Sequence, residues 1–118
     1  MMKILVAEDS FALANLLTFV LKNAGFEVDL HRTGAAALTA ACSRKYDLIL
    51  LDQQMPQATG LEVIEALRRQ GPNTETPVFL CTAKTHELGL DELQARLNIA
   101  RVFHKPFSPK ELVHSLCQ

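Results

Sequence analysis

Five polar residues in this chain each stand at the carboxyl end of a short apolar run. Glu8 and Asp9 follow Lys3 to Ala7, Asp52 follows Leu48 to Leu51, Thr82 follows Val78 to Cys81, and Lys105 lies just past Arg101 to Phe103. Taken singly, each has an ordinary explanation: Asp9 or Ser10 caps a helix, and Asp52 sits in a solvated loop. Gathered on one sheet edge they do not. Two like charges brought to about 4 Å repel by roughly 4 kcal/mol at an effective dielectric near 20, so three carboxylates need a counter-ion. An oxygen-only set of this kind suits Mg²⁺, which takes a few carboxylates, keeps several waters and shares its sphere with a phosphate. Lys105 adds a second, fixed positive charge.

The elements that would bring these residues together alternate along the chain. A fifth apolar run, Glu27 to His31, joins the four above. Between the runs lie stretches of helical period. Leu13, Leu16, Leu17, Val20 and Leu21 mark one helix face, Leu61, Ile64 and Leu67 another, and Leu90, Leu93 and Leu97 a third. Thr33 to Ser43 is alanine-rich, a good helix former able to lie close to a sheet. Gly25 and Gly71-Pro72 are helix stops, and Gly60 suits a turn into the third helix. Ser108-Pro109-Lys110-Glu111 has the form of a capping box opening a last helix. Strict alternation of strand and helix predicts one α/β domain, a parallel sheet covered by helices on both faces, with ligands bound beyond the carboxyl ends of the strands.

Bulk properties narrow the function classes. The 118 residues suffice for one domain with a real core, 48% of them are apolar, and net charge is -1. That balance gives no electrostatic case for binding nucleic acid or anionic lipid. No apolar stretch approaches the roughly 18 residues needed to cross a membrane, and the N-terminus lacks a secretory pattern, so a soluble, cytoplasmic protein is expected. Cys42, Cys81 and Cys117 read as reduced, small buried hydrophobes. His31, His86, His104 and His114 show no metal-ligand spacing and read as surface or sheet-edge residues, and Arg68-Arg69 reads as a solvated helix end. Phosphate-binding glycine motifs are lacking, and Glu8-Asp9 would repel a flavin phosphate.

The set Glu8-Asp9, Asp52 in D-x-x-M-P, Gly60, Thr82-Ala83 and Lys105-Pro106-Phe107 resembles the signature of response-regulator receiver domains over the whole chain, read as one receiver domain at 1–118. The separations agree: 43 residues from Asp9 to Asp52, 30 to Thr82 and 23 more to Lys105. The resemblance implies a flavodoxin-like, doubly wound five-stranded parallel sheet in the order 2-1-3-4-5 with five helices. It implies that Asp52 is the nucleophile that takes a phosphoryl group from a histidine of a sensor kinase or phosphotransfer protein. Asp9, Asp52 and the backbone carbonyl of Gln54 would hold Mg²⁺, with Glu8 acting through a water. Lys105 and the Thr82 hydroxyl would meet the phosphoryl oxygens, and the Lys105-Pro106 bond would be cis.

The implied output is a conformational switch of the surface formed by the fourth helix, fifth strand and fifth helix, read by a downstream output domain or target protein and able to support dimerisation. Gln54 and Lys84, two residues beyond Asp52 and Thr82, would tune phosphate lifetime, since an amide and an amine there can orient or block the attacking water. Two positions depart from the pattern. Val102 stands where an aromatic residue usually couples to the threonine, with Phe103 expected on the opposite face and His104 on the same one. Thr59 replaces a common aspartate, with little effect expected. Val102 is the best support for the rival reading, a receiver-like interaction module that works without phosphorylation. The chain is either a stand-alone receiver or the first part of a longer regulator.

Overall fold

The computed structural model describes residues 1–83 and 90–116. Five strands, β1 (Lys3–Ala7), β2 (Glu27–His31), β3 (Leu48–Asp52), β4 (Val78–Thr82) and β5 (Arg101–His104), alternate with α1 (Phe11–Asn23), α2 (Gly34–Ser43), α3 (Gly60–Arg69), α4 (Leu90–Arg96) and α5 (Pro109–Leu116). All neighbouring strands are parallel, in the order β2-β1-β3-β4-β5. This is the flavodoxin-like arrangement expected. Strands β3, β4 and β5 each run one residue further than the apolar runs suggested, so Asp52, Thr82 and His104 are strand residues.

The period-two alternation of strand side chains builds two cores, one on each face. Leu5, Ala7, Ile49, Leu51, Val78 and Leu80 pack against α2 and α3 through Ala37, Ala41, Val63, Ile64 and Leu67. Ile4, Val6, Leu48, Leu50, Phe79 and Cys81 pack on the opposite side against Leu17, Leu21 and Leu112 of α1 and α5. Strands buried on both faces are the reason their sequences are continuously apolar. The start of α2 comes close to the loop after β3: a Cβ at Gly34 would lie 2.0 Å from the Ala58 carbonyl oxygen.

Helix ends follow capping chemistry. Ser10, not Asp9, caps α1, and Thr33 caps α2. Thr59, to which the sequence assigned little effect, forms a full capping box with Glu62 at the start of α3. At α5, Ser108 Oγ accepts the Lys110 N–H, as a helix-starting serine should. Gly25 and Gly71 adopt φ of +97°, the left-handed conformation of helix stops.

Three expectations are corrected. In α1 the buried line is Ala14, Leu17 and Leu21. Leu16 faces out at 46% exposure, alongside Phe11 at 67% and Phe19 at 65%, because a residue one step from Leu17 is turned about 100° around the helix. Cys81 is buried as expected, but Cys42 is only half-buried. Arg68 is no solvated helix end. Its guanidinium donates to the carbonyls of Leu97, Asn73, Thr74 and Asn98, tying α3 to the loop before β4 and the turn after α4. Carbonyls at the end of a helix lack intrahelical partners, and a forked guanidinium supplies several donors at once.

Candidate functional site

β1 and β3 are neighbours in the sheet, and the chain leaves them toward opposite faces, which opens a crevice beyond their carboxyl ends. Glu8 follows β1 directly, and its backbone N–H donates to the His31 carbonyl at 3.1 Å, extending the ladder by one bond. Asp52 is the last residue of β3. Both are buried, whereas Asp9 is exposed. One carboxylate oxygen from each of Glu8, Asp9 and Asp52 lies within 4.8 Å of the others. Lys105 reaches into the same cluster, with Nζ 3.0 Å from Glu8 Oε1 and 3.2 Å from Asp52 Oδ1. Its backbone N–H donates to the Thr82 carbonyl at 2.8 Å, so β4 holds the lysine in place. Thr82 is buried at the end of β4, paired in register with His104.

The electrostatics reflect this crowding. Burial pushes the Glu8 carboxyl above its usual range and the Asp52 charge adds to the effect, against the pull of the Ser10 N–H and Lys105. Burial alone would lower the Lys105 ammonium. Its bond to Glu8 and the two nearby carboxylates outweigh that, and its pKa is raised. Lys105 is therefore a permanent cation. Asp52 Oδ1 is buried and faces the Lys105 ammonium at 3.2 Å. Three carboxylates grouped within 4.8 Å, with one lysine reaching into them, are a donor set that fits a hard divalent cation.

The loop after β3 is built to aim Asp52. A Cβ at Gly60 would lie 2.7 Å from the Asp52 carbonyl oxygen and 2.8 Å from Leu80 Cδ1. Gly60 thus serves close packing of α3 on the strand end rather than the turn expected of it, and its φ is not in the left-handed region. Gln53, which the sequence did not single out, ties the same corner: its side-chain oxygen accepts the Leu61 N–H and its carbonyl accepts the Gly60 N–H. Gln54 is exposed in the following bend, and Met55 is buried in the core beneath it. The Lys105-Pro106 bond is cis.

Among the expected switch positions, Val102 is half-buried and packs against the α2–α3 face of the core. Phe103 lies on the opposite face, its ring 5.5 Å from Phe79 and 5.7 Å from Phe107. His104 and His114 are exposed and His31 is half-buried on the edge strand. Lys84, His86 and Cys117 lie outside the described residues. The sequence also missed Arg32, whose guanidinium donates to the Asp9 carbonyl at 2.9 Å and sits 5.1 Å above the Phe11 ring. No pattern signals a side chain that bonds a distant main-chain carbonyl. Next to the carboxylates, Ser10, Leu13, Ala83, Lys105, Pro106 and Phe107 line an open cavity of about 460 Å³.

Fold and site define a class, and comparison with known proteins assigns it. The family model of the response regulator receiver domain matches residues 4–117, and this chain belongs to that family. It is 37% identical over 111 residues to the DNA-binding response regulator MtrA of Mycolicibacterium paratuberculosis, covering 94% of this chain and 48% of that protein. It thus spans about half the length of the curated relatives it matches. Among solved structures, chemotaxis protein CheY4 of Vibrio cholerae superposes with a TM-score of 0.88 at 30% identity, covering 99% of this chain and 97% of that one. TrrA from Thermotoga maritima, solved in complex with Mg²⁺-BeF, gives a TM-score of 0.84 at 31% identity, with the same coverage of both chains.

Proposed function

We propose that this receiver domain accepts a phosphoryl group on Asp52 from a phosphohistidine of a sensor kinase or phosphotransfer protein. The observation that carries this is the buried Asp52 carboxylate, facing Lys105 at 3.2 Å and grouped with Glu8 and Asp9. An Asp52 oxygen attacks phosphorus, the P–N bond to the donor imidazole breaks, and an acyl phosphate forms. Such transfer asks mainly for positioning and charge neutralisation. Asp9, Asp52 and the Gln54 carbonyl would hold Mg²⁺, with Glu8 one step further out. The ion, when bound, supplies positive charge to the oxygens of the transferring group. Lys105 supplies the same from the other side, and the Thr82 hydroxyl donates to the phosphoryl group once it has arrived.

Whole-chain roles follow from this reading. Phe11, Leu16 and Phe19 are exposed on α1 and would give a partner protein an apolar face to dock on. Phosphorylation would draw Thr82 inward and alter the α4-β5-α5 surface, which an output domain or target protein reads. Gln54 and Lys84 would set phosphate lifetime. The relatives described as DNA-binding regulators are about twice as long, and a net charge of -1 gives this domain no electrostatic case for contacting DNA itself. No helix among the described residues is long and apolar enough to cross a membrane, and on this reading the domain, as a phosphoryl acceptor from a sensor kinase, would work in the cytoplasm. Val102 favours a second reading in which the domain binds its partner without being phosphorylated.

Incubation of wild type and Asp52→Asn with acetyl phosphate and Mg²⁺ separates the two. Added phosphoryl mass on wild type alone supports the first reading. Absence of label on wild type supports the second, and label that persists on the variant moves the acceptor to another residue and contradicts both.

A further inference from the structure

Within the acidic trio, Asp9 is the member least held by its surroundings. Asp52 is fixed by β3, and Glu8 is buried, bonded to Lys105 and linked through its backbone to His31. Asp9 is exposed in the loop joining β1 to α1. What grips that loop from outside is Arg32, in the connection between β2 and α2. Its guanidinium donates to the Asp9 carbonyl at 2.9 Å and stacks 5.1 Å above the ring of Phe11. The two contacts fall on either side of Ser10, whose N–H is bonded to Glu8 Oε2. The neighbouring His31 carbonyl takes the Glu8 N–H, so residues 31 and 32 together hold the loop by backbone and then by side chain.

From this geometry we infer that Arg32 is a positioning residue for the cation-binding carboxylate of Asp9. The inference rests on the Mg²⁺-dependent reading above and adds a residue to it. A hydrogen bond from a charged donor is stronger than a neutral one, and a planar guanidinium can bond and stack at the same time. A loop already ordered loses less freedom when its carboxylate takes up an ion. Arg32 has a second, opposing influence. Its positive charge repels a cation, so deleting it would tighten Mg²⁺ binding if charge were its only contribution. The two roles therefore differ in sign.

Calorimetric Mg²⁺ titration of wild type, Arg32→Ala, Arg32→Lys and Phe11→Leu reads that sign directly. The Ala variant should bind Mg²⁺ about fivefold more weakly, the loss of roughly one hydrogen bond to the loop. Lysine should recover part of the loss, and Phe11→Leu should weaken binding by a smaller factor. The urea midpoint of Arg32→Ala should fall further below wild type in saturating Mg²⁺ than in metal-free protein, by the amount the lost affinity implies. Equal or tighter Mg²⁺ binding by Arg32→Ala overturns the inference, as does a drop in urea midpoint that is the same with and without Mg²⁺. A wild type that binds no Mg²⁺ overturns the acidic-site reading itself, and this inference with it.

Discussion

Lys105 Nζ lies 3.0 Å from Glu8 Oε1, joining two side chains 97 residues apart in the chain. The pair closes the crevice across the central strands and leaves Lys105 only 23% exposed. Removing one partner of a buried ion pair strands the other charge. Lys105→Met should therefore cost about 2 kcal/mol of stability at neutral pH by urea unfolding, consistent with the penalty for an unmade buried polar bond. It should also abolish labelling by acetyl phosphate. A variant of wild-type stability would show that Glu8 draws its compensation from elsewhere.

The raised Glu8 pKa gives a pH signature for metal-free protein. The folded state binds the Glu8 proton more tightly than the unfolded chain, whose ordinary value is 4.5. Glu8 thus contributes stability that is fully present below 4.5 and lost as pH rises through its higher folded value. Urea midpoints measured on either side of that window should show the decline in wild type and a flatter profile in Glu8→Gln. An unchanged slope in the variant would assign the decline to other groups.

Gly60→Ala places a methyl 2.7 Å from the Asp52 carbonyl, where backbone rather than a flexible side chain must give way. Such overpacking costs about 1–3 kcal/mol. Because the strained atom belongs to the proposed acceptor, the substitution should lower both stability and Mg²⁺ affinity. Loss of stability with unchanged Mg²⁺ binding would mean that α3 yields and the strand end does not.

Arg68→Met tests the junction of α3 with the turn after α4. Four hydrogen bonds to main-chain carbonyls disappear. Some of those oxygens reach water, so a net cost of about 2 kcal/mol is expected rather than the sum. Faster amide exchange at Asn98 and Ile99 should accompany it, and wild-type exchange there would contradict the clamp.

How far these features could be read from sequence depended on whether they leave a periodic trace. Leu48 to Leu51 is apolar at every position because both faces of β3 are covered, and a carboxylate at its end stood out for that reason. Asp9, Asp52, Thr82 and Lys105 were legible as strand-end residues because parallel strands present all their carboxyl ends on one edge. Arg68, Arg32 and Gln53 were not, since each acts on main-chain groups brought near only by folding. Gly60 was legible as a glycine that matters. Its reason was not, because the atom it makes room for lies eight residues away on β3. Leu16 was misplaced because an apolar residue at helical spacing signals a face without fixing the face's centre.

The account depends on Asp52 being the atom that receives phosphorus. Borohydride reduction of protein treated with acetyl phosphate and Mg²⁺ converts an aspartyl phosphate to homoserine, which peptide sequencing by mass spectrometry locates. The conversion is expected at residue 52, and only when Mg²⁺ is present. Homoserine at another aspartate, or none at all in protein that binds Mg²⁺, would contradict it.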